Sequence, residues 1–387
     1  MKLTQIAVIV VSGLLLSCTS TVSGKAQAKT EAVKTTPAAK TQAGQKAKAA
    51  VASTATALPA QAAVNKAAVN KGSFEQYAAS LKQEALQKGY AKTLVNDVFA
   101  SLKHYQSAVV ADKKQPEFTE TLDTYLPKRI SKQRISLARK YYKENQQELE
   151  AIGKKYGVQP RFIVALWGLE SSFGKIMGNY SVPSALATMA YDGRREAFFK
   201  SEFFLALDIL QQGHVKLADM KGSWAGAMGQ SQFMPSAFMS YAQDGDGDGH
   251  INIWQSRSDA FASIANYLKT RGWDDSQTWG REVKVPKNFD FSYVIPKGSK
   301  DRTQWLQWWA KSERSLAAWQ TLGVRTTEGK ALPQRDIKAA LVMPDDEHGR
   351  VYLAYSNYQT LMHWNRSYYF VTSVGYLADL IVAEDKA

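Results

Sequence analysis

The sequence predicts a mainly α protein (α+β) with a small β-rich insertion. Apolar residues recur at helical spacing from Ser73 onward, and strand-like alternation is confined to the stretch from about residue 274 to residue 355. Length adds to this, because 387 residues exceed what one simple core uses, so two or three lobes are expected.

The elements follow in chain order. Met1-Lys2 precedes an apolar run, Ile6 to Leu16, that is too short to span a bilayer and reads as a signal-peptide core. It ends in Leu14-Leu15-Leu16-Ser17-Cys18, and Cys18 is the sole cysteine, so no internal disulfide can form. The segment resembles a lipobox, which makes residues 1–18 a lipoprotein leader and Cys18 the lipidation site; an ordinary leader with an incidental Cys is the alternative. Several acyl chains on Cys18 would anchor the protein firmly. Thr19 rather than Asp after Cys18 leans to the outer membrane, facing the periplasm.

Residues 19–72 are rich in Ala, Lys, Thr, Gln and Val and lack aromatics, so they cannot bury enough apolar surface to order themselves. They read as a flexible tether. Nine lysines against the single acid Glu31 place +8 of the +14 formal charge in residues 1–72. The excess charge is therefore mostly a property of the leader and tether, with +6 left on the remaining chain, and it suits anionic headgroups or an anionic polymer. Together with export, this disfavours a nucleic-acid partner.

Phe74, Tyr77, Leu81 and Leu86 begin an amphipathic series that Tyr90 to Leu102 continues, and Gln133 to Ile152 reads as one charged helix, giving a helical domain over 73–150. Pro160 opens a helix that stops near Gly174, and Glu196–Leu210 and Asp259–Lys269 are further helices of a segment 151–273. Val283, Val285, Phe289, Phe291 and Val294 alternate around Pro and Gly as short strands do, within a β-rich unit 274–350. Val351 to Tyr355 reads as one more strand, and Ser367 to Ala383 returns to helix, in a C-terminal segment 351–387 that rejoins the core.

Glu170 is the most informative residue. Ile163, Leu166, Trp167 and Glu170 share one helical stripe, which places a carboxyl group on an apolar face. There its charged form is disfavoured and its pKa should rise, leaving an acid able to protonate a leaving oxygen. A capped or Arg-paired carboxylate at a helix end is the plainer alternative.

Ser223-Trp224-Ala225-Gly226-Ala227-Met228-Gly229-Gln230-Ser231-Gln232-Phe233-Met234-Pro235-Ser236 carries small residues that let backbone approach a ligand. Gln232 offers donor and acceptor groups suited to sugar hydroxyls and acetamides. A tight packing turn is the alternative. Asp244-Gly245-Asp246-Gly247-Asp248-Gly249-His250-Ile251-Asn252 matches an EF-hand loop within residues 244–259, with acids at positions 1, 3 and 5, Gly at 6 and the His250 carbonyl at 7. Gln255 stands at position 12 where Glu is usual, and Asp259 is placed to close the site from the next helix. The expected cofactor is a structural calcium ion, with a metal-free acidic turn as the alternative.

Glu170-Ser171-Ser172-Phe173-Gly174, the block Ala225 to Ser236, the acidic loop ending His250-Ile251-Asn252-Ile253-Trp254, and Ala265-Asn266-Tyr267 together resemble the membrane-bound lytic murein transglycosylase B family across roughly residues 75–385. That resemblance implies a lysozyme-like core with an N-terminal helical domain and a small β-rich domain. It implies non-hydrolytic cleavage of the β-1,4 bond between N-acetylmuramic acid and N-acetylglucosamine, giving 1,6-anhydromuramic ends. Glu170 falls on the single catalytic acid/base of the family. Ser223, Gln232, Tyr267, Arg194, Arg195 and Tyr358 fall on substrate-contacting positions. Trp364 stands where the family often has Tyr. Asp244, Asp246, Asp248, His250 and Asp259 fall on calcium ligands, and no organic cofactor is implied. The partners expected are peptidoglycan strands, the membrane through the lipid anchor, and cell-wall synthases.

A water-using muramidase on the same fold and a non-catalytic peptidoglycan-binding lipoprotein are the rival readings. An intact acid in an apolar stripe argues against the second, since a binding module gains nothing from a costly buried acid.

Overall fold

The computed structural model describes residues 72–113, 120–192, 195–295, 302–345 and 347–383. The leader with Cys18, the tether up to residue 71, and Arg194 lie outside them.

Six helices come first among the described residues: α1 (Phe74–Gln87), α2 (Lys92–Ser101), α3 (Gln106–Lys113), α4 (Leu122–Arg129), α5 (Lys132–Glu144) and α6 (Gln146–Tyr156). Next come α7 (Pro160–Ser171), β1 (Tyr180–Ser181), α8 (Val182–Tyr191), α9 (Glu196–Gln211), β2 (Lys221–Gly222), α10 (Pro235–Tyr241) and α11 (Arg257–Thr270). The mixed region holds β3 (Gly280–Lys284), β4 (Val294–Ile295), α12 (Arg302–Ser312), β5 (Arg314–Ser315), α13 (Leu316–Thr321), β6 (Arg325–Thr326), β7 (Lys338–Val342) and β8 (Val351–Ala354). The helices α14 (Ser356–Trp364) and α15 (Tyr368–Val382) close the described chain.

Local chemistry explains where these elements begin and end. Ser73 and Gln76 form a reciprocal capping box that starts α1 at the first apolar residue of its stripe. The single helix expected over Gln133–Ile152 is instead two. Asn145 leaves helical geometry (φ −113°, ψ 18°), and its side-chain amide donates to the Tyr141 carbonyl at 2.6 Å. Asn competes for backbone groups in this way, which is why it terminates α5. The alternation through Phe289 and Phe291 does not give a strand either. Asp290 accepts the Ser292 N–H, and Phe291–Tyr293 closes as one 3₁₀ turn.

The sheet runs in the order β4-β7-β8-β3-β6, with β5 also pairing β7; its ladders are antiparallel except β4 with β7. It rests on its own small core, which includes Val283, Trp319, Leu341 and Leu353. The α12 and α13 helices intervene because Trp305 and Trp309, then Leu316 and Trp319, bury at helical spacing. A larger core extends from Phe74 in α1 to Ile381 in α15.

At the centre of that larger core lies α7. Pro160 sets its first turn, and every residue from Phe162 to Ser171 is buried. A helix apolar on all sides must be surrounded, and α5, α6, α11 and α15 pack around it. Its end is abrupt. Ser172 (φ 50°), Phe173 (φ 62°) and Gly174 (φ 77°) are all left-handed, and for a phenylalanine this conformation costs about 1–2 kcal/mol. Burial of the Phe173 ring, about 2 kcal/mol, offsets that cost. The ring folds back over Gly168 and packs beside Trp167 and Tyr141 at 5.3 and 5.1 Å. A Cβ at Gly168 would lie 2.5 Å from this ring.

Gly168→Ala is therefore expected to destabilise the fold by about 1–3 kcal/mol, as overpacking does, read from the urea midpoint. An unchanged midpoint would show that the ring has room to retreat.

Candidate active site

The penultimate residue of α7, Glu170, is only 2% exposed, yet it borders a cleft of about 550 Å³. Gln232, Phe233, Tyr241, Tyr267 and Trp364 line the same cleft. Burial pushes the Glu170 carboxyl up to about 8, and a hydrogen bond from Trp364 pulls partly against that rise. The acid is therefore largely protonated at neutral pH.

The two carboxyl oxygens differ. Trp364 Nε1–H donates to Oε1 at 2.6 Å, whereas buried Oε2 has no hydrogen-bond partner. An indole N–H only donates, so Oε1 is the accepting oxygen and Oε2 is the one left free to donate a proton. Trp364, the last residue of α14, thus sets the two oxygens apart. The family comparison in the sequence marked its position, but only as a place for Tyr.

Aromatic packing positions Trp364. Its ring lies 4.8 Å from Tyr267 and 5.4 Å from Phe233. Tyr267 donates its hydroxyl to the His363 carbonyl at 2.7 Å, and burial drives its phenol up to about 12. Gln232 sits in a left-handed backbone conformation (φ 51°). Its side-chain nitrogen is held by the carbonyls of Met177 and Gly229 at 3.1 and 2.9 Å, so the amide is fixed at the cleft wall.

Other expected contacts lie elsewhere. Tyr358 is completely buried, stacked between Trp279 and Trp309, and is not among the cleft-lining residues; it is core, because its stripe of α14 faces α15 and the sheet region. Arg195 pairs with buried Asp112 at 3.0 Å and lies over the Phe199 ring, which turns its guanidinium away from the cleft lining. Ser223 does not line the cleft; its hydroxyl accepts the Ala227 N–H at 3.0 Å and shapes the turn. The short β1–β2 pairing brackets that turn, with Tyr180 opposite Gly222.

The residues that sequence reasoning missed are Arg271, Arg302, His363 and Arg366, all cleft-lining. They come from α11, α12 and α14–α15, so no local motif announces them.

A second buried acid exists. Glu202 in α9 is 3% exposed and its pKa is raised by burial. However, both its oxygens are occupied, taking the Ser236 N–H and hydroxyl at 2.9 and 2.7 Å at the start of α10. Among the described residues lining the cleft, Glu170 is the only carboxylic acid.

In the acidic loop, carboxylate oxygens of Asp244, Asp246 and Asp259 lie within 4.8 Å of one another, a hard-oxygen donor set that fits a calcium ion. Asp259 is buried, and its two oxygens accept the N–H groups of Gly245 and Asn252, tying both ends of the loop to α11. Asp248 and His250 are outside this cluster; Asp248 instead accepts the His250 N–H at 2.8 Å on the exposed side. Buried Gln230 joins the loop to α7, accepting from Trp167 Nε1 at 2.9 Å and donating to the carbonyls of Trp254 and Ser256.

The transglycosylase SLT domain family matches residues 73–379, most of the chain. The chain belongs to this family. It is 36% identical over 161 residues to membrane-bound lytic murein transglycosylase B of Escherichia coli (strain K12); the match covers 40% of this chain and spans 44% of that protein's length. SltB3 of Pseudomonas aeruginosa in complex with NAG-NAM-pentapeptide is 37% identical, with a TM-score of 0.74 over 81% of this chain and 80% of that one. The Escherichia coli lytic transglycosylase Slt35 in complex with calcium is 25% identical, with a TM-score of 0.65 over 79% of this chain and 92% of that one. The mainly helical fold with its small sheet is thus that of the lysozyme-like lytic transglycosylases. Among the described residues no helix is long and apolar enough to cross a membrane.

A carboxyl raised from 4.5 to about 8 binds its proton more tightly in the folded state. Its contribution therefore lowers stability as pH rises from about 4.5 through about 8 and is constant above that window. Glu170→Gln cannot ionise, so its melting temperature should match wild type near pH 4. At pH 8 it should lie above that of wild type, reflecting a stability difference on the order of a few kcal/mol. Parallel curves across this range would remove the buried-acid account.

Proposed function

We propose that the protein is a lytic transglycosylase that cleaves the β-1,4 bond between N-acetylmuramic acid and N-acetylglucosamine in peptidoglycan without consuming water, in cell-wall remodelling. The observation that carries this reading is that one carboxylic acid alone, among the described residues, lines the aromatic cleft, with its pKa raised by burial and one oxygen unpartnered. Ordinary glycosidases need two carboxylates across the bond. With one acid among the described residues lining the cleft, the nucleophile comes from the substrate itself.

Glu170 Oε2–H donates to the glycosidic oxygen as the C1–O bond breaks, and the N-acetylglucosamine side leaves as an alcohol. The muramyl acetamide oxygen stabilises the positive anomeric carbon. The Glu170 carboxylate, still held by Trp364, then takes the proton from the C6 hydroxyl, whose oxygen bonds to C1. This closes the 1,6-anhydro ring and restores the acid. Attack from within the same sugar gains from proximity over capture by water. Gln232 orients the acetamide and Tyr267, with Trp364, forms an aromatic wall for the sugar. Ser223 acts through the turn it shapes.

The acidic loop is read as a calcium pin held by Asp244, Asp246 and Asp259, supported by their converging oxygens and by the calcium complex of Slt35. The ion would supply fixed positive charge that locks the loop against α11. The unit boundaries at about residues 73, 150, 273 and 350 are proposed as functional lobes around the cleft. Supporting this, the β-rich segment has its own core. Lipidation at Cys18 with the tether beyond it would hold the enzyme at the periplasmic face of the outer membrane. The membrane-bound description of the Escherichia coli relative supports that placement.

Glu170→Gln should fold yet release no anhydro-muropeptides from purified sacculi, and wild-type kcat/KM should fall about tenfold per pH unit above about 8 as the donor proton is lost. Products bearing a reducing, water-derived muramic end would establish the muramidase alternative. For the loop, millimolar calcium should raise the melting temperature of wild type, and Asp246→Ala should abolish the gain. A calcium-independent melting temperature would leave the loop a bare turn.

A further inference from the structure

The cleft wall beyond the Trp364–Tyr267 ring pair is strongly positive. Arg271 caps the C-terminus of α11, Arg302 is the first residue of α12, and Arg366 precedes α15; all line the cleft together with His363. Three guanidinium groups from separate segments repel one another. Partial desolvation at the cleft and the Arg271 charge both lower the pKa of Arg302. Burial and the same three arginines push His363 down to about 4.

Two contacts hold the arrangement in spite of this repulsion. Arg302 Nη2 meets His363 Nε2 at 3.1 Å, and because Arg can only donate, His363 is the acceptor and must be neutral. Arg271 lies against the faces of Tyr241 and Tyr267 at 5.2 and 5.7 Å, while its buried Nε finds no hydrogen-bond partner. The only carboxylic acid among the described lining residues, Glu170, is itself largely protonated. The cleft thus gathers positive charge without supplying anions to balance it.

We propose that Arg271 and Arg302 form an anion subsite that takes a carboxylate of the peptide stem on the glycan strand. The inference rests on the proposed peptidoglycan cleavage and extends it to substrate choice. Uncharged sugar hydroxyls do not call for a guanidinium cluster, whereas the planar guanidinium fork matches a carboxylate with two parallel hydrogen bonds. On a stem-bearing strand the lactyl carboxyl is tied up in an amide, so the free carboxylates are those of the peptide. The subsite would hold the strand by its branch while the sugar ring sits beside Glu170.

The test compares soluble stem-bearing glycan strands with the same strands whose carboxyl groups have been converted to carboxamides. Anhydro-product release is measured with full-length wild type and with Arg302→Gln, which alters an exposed side chain. Wild type should show a KM about tenfold higher on the amidated strands, the scale of one charge-assisted contact. Arg302→Gln should bring that ratio close to one, chiefly by raising KM on the native strands. Equal KM values on the two substrates for wild type, or an undiminished ratio in Arg302→Gln, would overturn the subsite. Absence of anhydro products from either strand with wild type would overturn the cleavage reading instead.

Discussion

The hydrogen bond from Trp364 to Glu170 organises the cleft, and it draws on elements far apart in the chain. Glu170 is carried by the buried α7, and Trp364 comes from α14, which follows the sheet region. A carboxyl group left in an apolar core would be costly even when protonated, and the indole satisfies one of its oxygens. The second oxygen, left unmet, is free to hand a proton on. The position of the indole depends in turn on its stack with Tyr267 and Phe233, and Tyr267 is fixed through the His363 carbonyl. Ring packing in this wall therefore bears directly on proton chemistry.

The scaffold around this contact is rigid where the chemistry needs it. Left-handed residues after α7 return the Phe173 ring over Gly168, and Gln230 spans from Trp167 to the far side of the acidic loop. Asp259 ties the ends of that loop to α11, which also carries Tyr267. The loop and the aromatic wall thus share one helix, which links a cation there to cleft geometry by a short mechanical route.

Much of this was legible in the chain. The stripe Ile163, Leu166, Trp167, Glu170 shows a buried acid because one helix face carries both the apolar residues and the carboxyl. The acidic loop is equally local. Its ligand set was less so, since Asp259 converges with Asp244 and Asp246 while Asp248 takes the His250 N–H outside that cluster, a matter of loop path and not of spacing. Asn145 split an expected helix by a side-chain contact that periodicity does not register. Tyr358 was a substrate contact only through the family resemblance, and tertiary packing places it in the core instead. The arginine wall was invisible, as its members meet only through folding.

An indole cannot take up a proton under these conditions, and Glu170 is 2% exposed at the edge of the cleft. The acid is therefore a reservoir with one door. Whatever leaves it passes into the cleft, so once the polymer fills that space the proton is handed to the glycan and not to bulk solvent.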